Sequence, residues 1–128
     1  MKIFICEQDP YRAKLIQDIL GVYNYKIITV NKHTEFFKEV NSHKPAVIVM
    51  NQMFAQNSET DFLTKMRSNP VTSSIPVIYI MNNKISNEEE QVPKFDELTE
   101  FVSEPIKIKN LRHYIDRWTT FRSLYVRH

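Results

Sequence analysis

The residues able to do chemistry stand just past short apolar runs. Glu7, Gln8 and Asp9 follow KIFIC, and Asn51 follows AVIVM. Met81 ends VIYIM with Asn82 behind it, and Ser103-Glu104-Pro105 closes FVS. Acids so placed could hold a cation, and little else at these positions is reactive. The carboxamide of Asn51 carries no formal charge and is a poor nucleophile, and the thioether of Met81 has almost no hydrogen-bonding capacity. Glu7 and Glu104 are weak candidates for a cation, because a hard cation wants several oxygens. No metal site or cofactor is expected.

Elsewhere the chemistry is thinner. Cys6 ends an apolar run with no cation beside it, so a buried, inert thiol is expected. His33, His43, His113 and His128 show no ligand spacing. The single glycine excludes a P-loop, a G-x-G-x-x-G turn and a G-x-S-x-G elbow. One cysteine excludes an intrachain disulfide and any multi-cysteine zinc site.

The elements that must position these residues read as strands alternating with helices. Lys2–Cys6, Tyr25–Val30, Ala46–Met50, Val77–Met81 and a weaker Phe101–Ser103 are apolar at successive positions, as strands covered on both faces are. Asp9-Pro10 supplies an N-cap and an N1 proline for a helix ending before Gly21. Asn31 or Thr34 opens a second helix with Phe36, Phe37 and Val40 on one face. Ser58 and Asp61 open a third through Phe62, Leu63 and Met66. Glu88-Glu89-Glu90 starts a fourth that Pro93 leaves short or irregular. Leu111, Tyr114, Ile115, Trp118, Phe121 and Tyr125 stripe the last helix. This alternation predicts one α/β domain over residues 1–128, a flavodoxin-like, doubly wound five-stranded parallel sheet of order 2-1-3-4-5. Ligands of such sheets sit beyond the carboxyl ends of the strands. A net charge of +2 announces neither nucleic acid nor an anionic membrane. No apolar run approaches the ~18–20 residues of a membrane span, so a cytoplasmic protein is expected.

At the strand ends the chain resembles the response-regulator receiver (CheY-like) domain along its whole length. IFICEQDPYR looks like that family's strand into paired acids, and KPAVIVMNQM like the strand ending on the phosphoacceptor aspartate. IPVIYIMN looks like the strand ending on a hydroxyl residue, and FVSEPI like the segment ending in Lys-Pro. The resemblance implies a pocket in which acids hold Mg²⁺, an aspartate takes the phosphoryl group, and a lysine and a hydroxyl close over it. At the matching positions stand Glu7 and Gln8, Asn51, Met81 and Glu104. The resemblance therefore implies a degenerate pseudo-receiver of two-component (phosphorelay) type, without the phosphoacceptor and not an enzyme. Asp9 is expected to cap the first helix and Asp61 to lie away from the strand ends. Glu104 is expected to turn out to water.

Phe101 matches the family's aromatic switch position, and Pro105 keeps its proline. With Met81 in place of the hydroxyl, Phe101 is expected to hold one rotamer. The last helix is basic: Lys107, Lys109, Arg112, Arg117, Arg122 and Arg127 offset only Asp116 among acids. Arg112, Tyr114, Trp118, Phe121 and Tyr125, with Phe101 and Pro105, mark an expected protein-binding face, and surplus apolar area there points to a partner or a homodimer. The alternatives are a receiver phosphorylated on another acid, and a basic-helix adaptor for nucleic acid.

Overall fold

The computed structural model describes residues 1–56, 62–81, 96–104 and 107–125, with the backbone alone at 56, 108–109 and 121–125. Five strands, β1 (Lys2–Cys6), β2 (Lys26–Val30), β3 (Val47–Asn51), β4 (Val77–Met81) and β5 (Thr99–Ser103), form one parallel sheet. Its order is β2-β1-β3-β4-β5, the order expected of the alternating pattern. Helices α1 (Pro10–Leu20), α2 (Phe36–His43), α3 (Gln52–Gln56), α4 (Phe62–Ser68) and α5 (Ile108–Tyr125) are the α-helices among the described residues.

Alternation along each strand divides the apolar side chains between two layers. Phe4, Cys6, Ile48, Met50, Val77, Tyr79 and Met81 enter one cluster, where Phe36, Val40, Phe54, Phe62 and Met66 of α2, α3 and α4 meet them. Ile3, Ile5, Val47, Val49, Ile78 and Ile80 enter the other, beneath Ile16 and Leu20 of α1 and Leu111 and Ile115 of α5. Sealing each such side chain from water contributes about 1.5–3 kcal/mol. Because both faces are covered, the central strands carry no polar alternation, which is why they read as continuous apolar runs.

Helix α1 starts as its sequence dictates. The Asp9 carboxylate accepts the Tyr11 N–H at 3.0 Å, and Pro10 occupies the first turn. Other boundaries differ from the sequence pattern. Neither Asn31 nor Thr34 caps the second helix: a 3₁₀ turn over His33–Glu35 leads into α2, and no side chain bonds its start. Lys44 closes α2 in the left-handed region at φ 48°, with its N–H on the Val40 carbonyl. β3 runs on to include Asn51, and β5 begins at Thr99 rather than Phe101. Among the described residues the connection from β3 to β4 carries α3 and α4; Ser58 and Asp61 lie outside them. So do Glu88–Glu90, Pro93 and the irregular helix expected there.

Candidate functional site

Register decides what can meet at the carboxyl edge of the sheet. Cys6 pairs with Met50, Asn51 with Ile80, and Met81 with Ser103. The residues ending or following β1, β3, β4 and β5 therefore stand level. Glu7 extends the β1–β2 ladder by one bond, its N–H on the Val30 carbonyl at 3.1 Å. By alternation with Ile3 and Ile5, its side chain belongs to the α1–α5 side of the sheet. The side chain of Asn51 follows Val47 and Val49 to that same side.

There the polar groups interlock. Glu7 is 4% exposed and Asn51 3%. The Asn51 Nδ2 amide donates to Glu7 Oε1 at 3.0 Å, and Asn51 Oδ1 accepts the Met53 N–H at 2.8 Å, tying the first turn of α3 to the strand. Glu7 Oε2 accepts the Asp9 N–H at 3.2 Å. Burial pushes the Glu7 carboxyl above its ordinary pKa, while the Asp9 N–H and the Arg12 charge pull it back. Arg12 is the residue that sequence reasoning missed. From the first turn of α1 its Nε lies 3.2 Å from Glu7 Oε1, and its terminal nitrogen pairs with the Glu104 carboxylate. Glu104 is therefore not turned out to water; its side chain is 19% exposed and is held from the far side by the guanidinium. The Glu104 N–H is fixed on the Met81 carbonyl at 3.0 Å.

Not every candidate joins this cluster. Gln8 stands half-buried beside it. The side chain of Met81 alternates to the opposite layer, among Tyr79, Val77 and the α4 residues, so only its carbonyl reaches the edge. Phe101 is half-buried with its ring centroid 5.3 Å from that of Tyr79. Cys6 is buried, and burial raises its thiol pKa well above the ordinary value.

Among the described basic side chains of α5, Arg112 and Arg117 are paired with acids. Arg112 stacks over Tyr23 at 3.8 Å and lies 3.5 Å from Asp116. Arg117 pairs with Glu100, whose other carboxylate oxygen accepts Trp118 Nε1–H at 2.8 Å. Trp118 and Tyr114 are half-buried against the α1–α5 layer, so neither stands as a free aromatic patch. Pro105 lies outside the described residues, and so do the side chains of Phe121 and Tyr125. Of Leu15, Ile16, Ile19 and Leu20, which recur at helical spacing before Gly21, Ile16 and Leu20 are buried while Leu15 and Ile19 are exposed beside Tyr11 and Val22. Spacing alone marks the helix's apolar residues but does not say which of them the sheet covers.

No protein-family model and no curated protein matches the sequence. Solved structures do. A response regulator from Desulfuromonas acetoxidans is similar at TM-score 0.78 and 22% identity, covering 97% of this chain and 98% of that one. The chain has the receiver fold. A response regulator receiver modulated diguanylate cyclase from Pelobacter carbinolicus gives TM-score 0.76 at 15% identity, with 98% and 97% covered. The receiver domain of a sensor histidine kinase from Pseudomonas aeruginosa PAO1, with magnesium coordinated in its active site cleft, gives 0.75 at 16%, with 93% and 97% covered.

Against that receiver fold, the donor set at the edge here does not fit a magnesium ion. Magnesium is bound through carboxylates and water with near-octahedral geometry at about 2.0–2.1 Å. Here Asn51 turns an N–H toward Glu7, and a guanidinium already adjoins the same oxygen. No group of three histidine, cysteine or acidic residues able to hold a metal occurs among the described residues.

Proposed function

We propose that this receiver-fold chain is a signalling module of two-component type that takes no phosphoryl group and acts by binding protein. One observation carries the reading: the position matching the phosphoacceptor is an amide, hydrogen-bonded at both ends. An amide oxygen that already accepts a backbone N–H, on a group with no charge, does not attack phosphorus. The module is non-enzymatic on this reading and works in the cytoplasm; no helix among the described residues is long and apolar enough to cross a membrane.

Two surfaces support a protein contact. One is the edge made by β5 and α5, where Phe101, Tyr114 and Trp118 are half-buried and so only partly open to a partner, a homodimer being the simplest. The other is the exposed apolar row Tyr11, Leu15, Ile19 and Val22. Arg112 and Arg117, paired with acids, are less available to neutralise phosphates, so a protein partner is favoured over nucleic acid on that part of the helix.

The test is chemical. The chain is incubated with Mg²⁺ and acetyl phosphate, and its intact mass is measured. An unchanged mass is expected; a stoichiometric phosphoryl adduct overturns the proposal.

A further inference from the structure

Two carboxylates brought into one partly buried pocket repel, and each loses hydration. Glu7 and Glu104 are such a pair. They leave strands β1 and β5, which β3 and β4 separate in the sheet, so a direct bridge between them needs a long, forked cation. An ammonium is a single point charge, whereas the planar guanidinium offers separate N–H groups in fixed directions. Arg12 uses two of them, Nε toward Glu7 at 3.2 Å and the terminal nitrogen toward Glu104. The oxygens of Glu7 are otherwise taken by Asn51 Nδ2 and the Asp9 N–H. Every polar contact in this cluster that reaches a Glu7 oxygen comes from a donor.

We infer that Arg12 is the resident cation of this pocket: its guanidinium permanently supplies the positive charge that the carboxylates need and shuts divalent cations out. The edge of the sheet is thereby tied from α1 across to the segment after β5 whatever the metal concentration. The inference deepens the proposed function and rests on it for the state of the pocket, with no phosphoryl group on Asn51. Its test reads cation binding rather than phosphoryl transfer, so the two ideas can fail separately.

Wild type, Arg12→Ala and Arg12→Lys are titrated with magnesium chloride and manganese chloride into the low-millimolar range, following the melting temperature and the heat of binding. Wild type is expected to show no saturable response. Arg12→Ala is expected to melt lower than wild type without metal and to recover saturably as either cation is added, since a cation that binds only the folded state raises its melting point. Arg12→Lys keeps a positive charge and is expected to stay indifferent to both cations. Arg12→Met, which keeps part of the aliphatic stem, carries the same readout if the alanine variant does not fold. A saturable response in wild type overturns the inference. So does failure of both the alanine and methionine variants to gain one, folded or unfolded.

Discussion

The amide of Asn51 is a donor as well as an acceptor, and Glu7 uses the donor. Asn51→Asp removes that N–H and sets a second carboxylate about where the first accepts, 3.0 Å away in the present pair. A lost hydrogen bond between buried groups, replaced by like-charge repulsion, costs about 1–3 kcal/mol. Urea unfolding at neutral pH is expected to report that loss, which shrinks in acid as the two carboxylates come to share a proton. Restoring the acid is not expected to restore phosphorylation, because Arg12 remains and Glu104 still stands opposite; the intact mass after acetyl phosphate checks this. Glu7, Asn51 and Glu104 were legible as a cluster because strand order alone brings strand ends together. Arg12 was not, because it belongs to a helix turn rather than a strand end. The signal was present nonetheless: two acids at one edge require a cation, and an arginine lies in the helix turn that follows the first of them.

At the scale of elements, the opposite edge of the sheet depends on one side chain of α4. Arg67 sends Nε to Asp96 Oδ2 at 2.7 Å and its terminal nitrogens to the carbonyls of Thr72, Ile75 and Leu98 and the hydroxyl of Thr99. One guanidinium thus joins the end of α4, the turn before β4 and the start of β5. Arg67→Met keeps the stem and removes every donor, taking the guanidinium away from the Thr72 and Ile75 carbonyls before β4 and from Asp96, while the Leu98 carbonyl keeps the Val77 N–H. A loss of about 2–4 kcal/mol is expected, read from the urea midpoint; a change within experimental error would falsify the assignment of Arg67 as a tie between these elements. Nothing in the sequence distinguishes this arginine from a solvated one, since a basic residue near a helix end is ordinary. The strands were legible for the contrary reason: residues 47–50 of β3 and Val77–Met81 are apolar and buried at every position, so their character does not depend on any partner. The start of α2 was misread because the chain enters it through a 3₁₀ turn with no side-chain cap, and a search for capping residues finds only neighbours.

For the whole molecule the two edges of the sheet titrate in opposite senses. At the carboxyl edge, burial raises the Glu7 carboxyl above 4.5 despite the Asp9 N–H and Arg12. Its contribution to stability is fully present below about pH 4.5 and is lost as pH rises through the raised native value. At the amino edge, burial alone would raise Asp96, but the Thr99 hydroxyl, the Arg67 charge and the Leu98 N–H bring it below 3.8. That contribution is present above pH 3.8 and disappears as pH falls through the lowered native value. Wild type, Glu7→Gln and Asp96→Asn are therefore expected to diverge in a pH series of urea midpoints. The gap between wild type and Asp96→Asn holds at neutral pH and closes only below 3.8. Relative to Glu7→Gln, wild type gains stability on acidification, and the gain is complete near 4.5. Parallel pH profiles for the three proteins would contradict both shifts. A widening gap for Asp96→Asn in acid would mean that Arg67 is not what holds that carboxylate, because an ion pair with a fixed guanidinium can only be lost, never gained, when the acid takes up its proton.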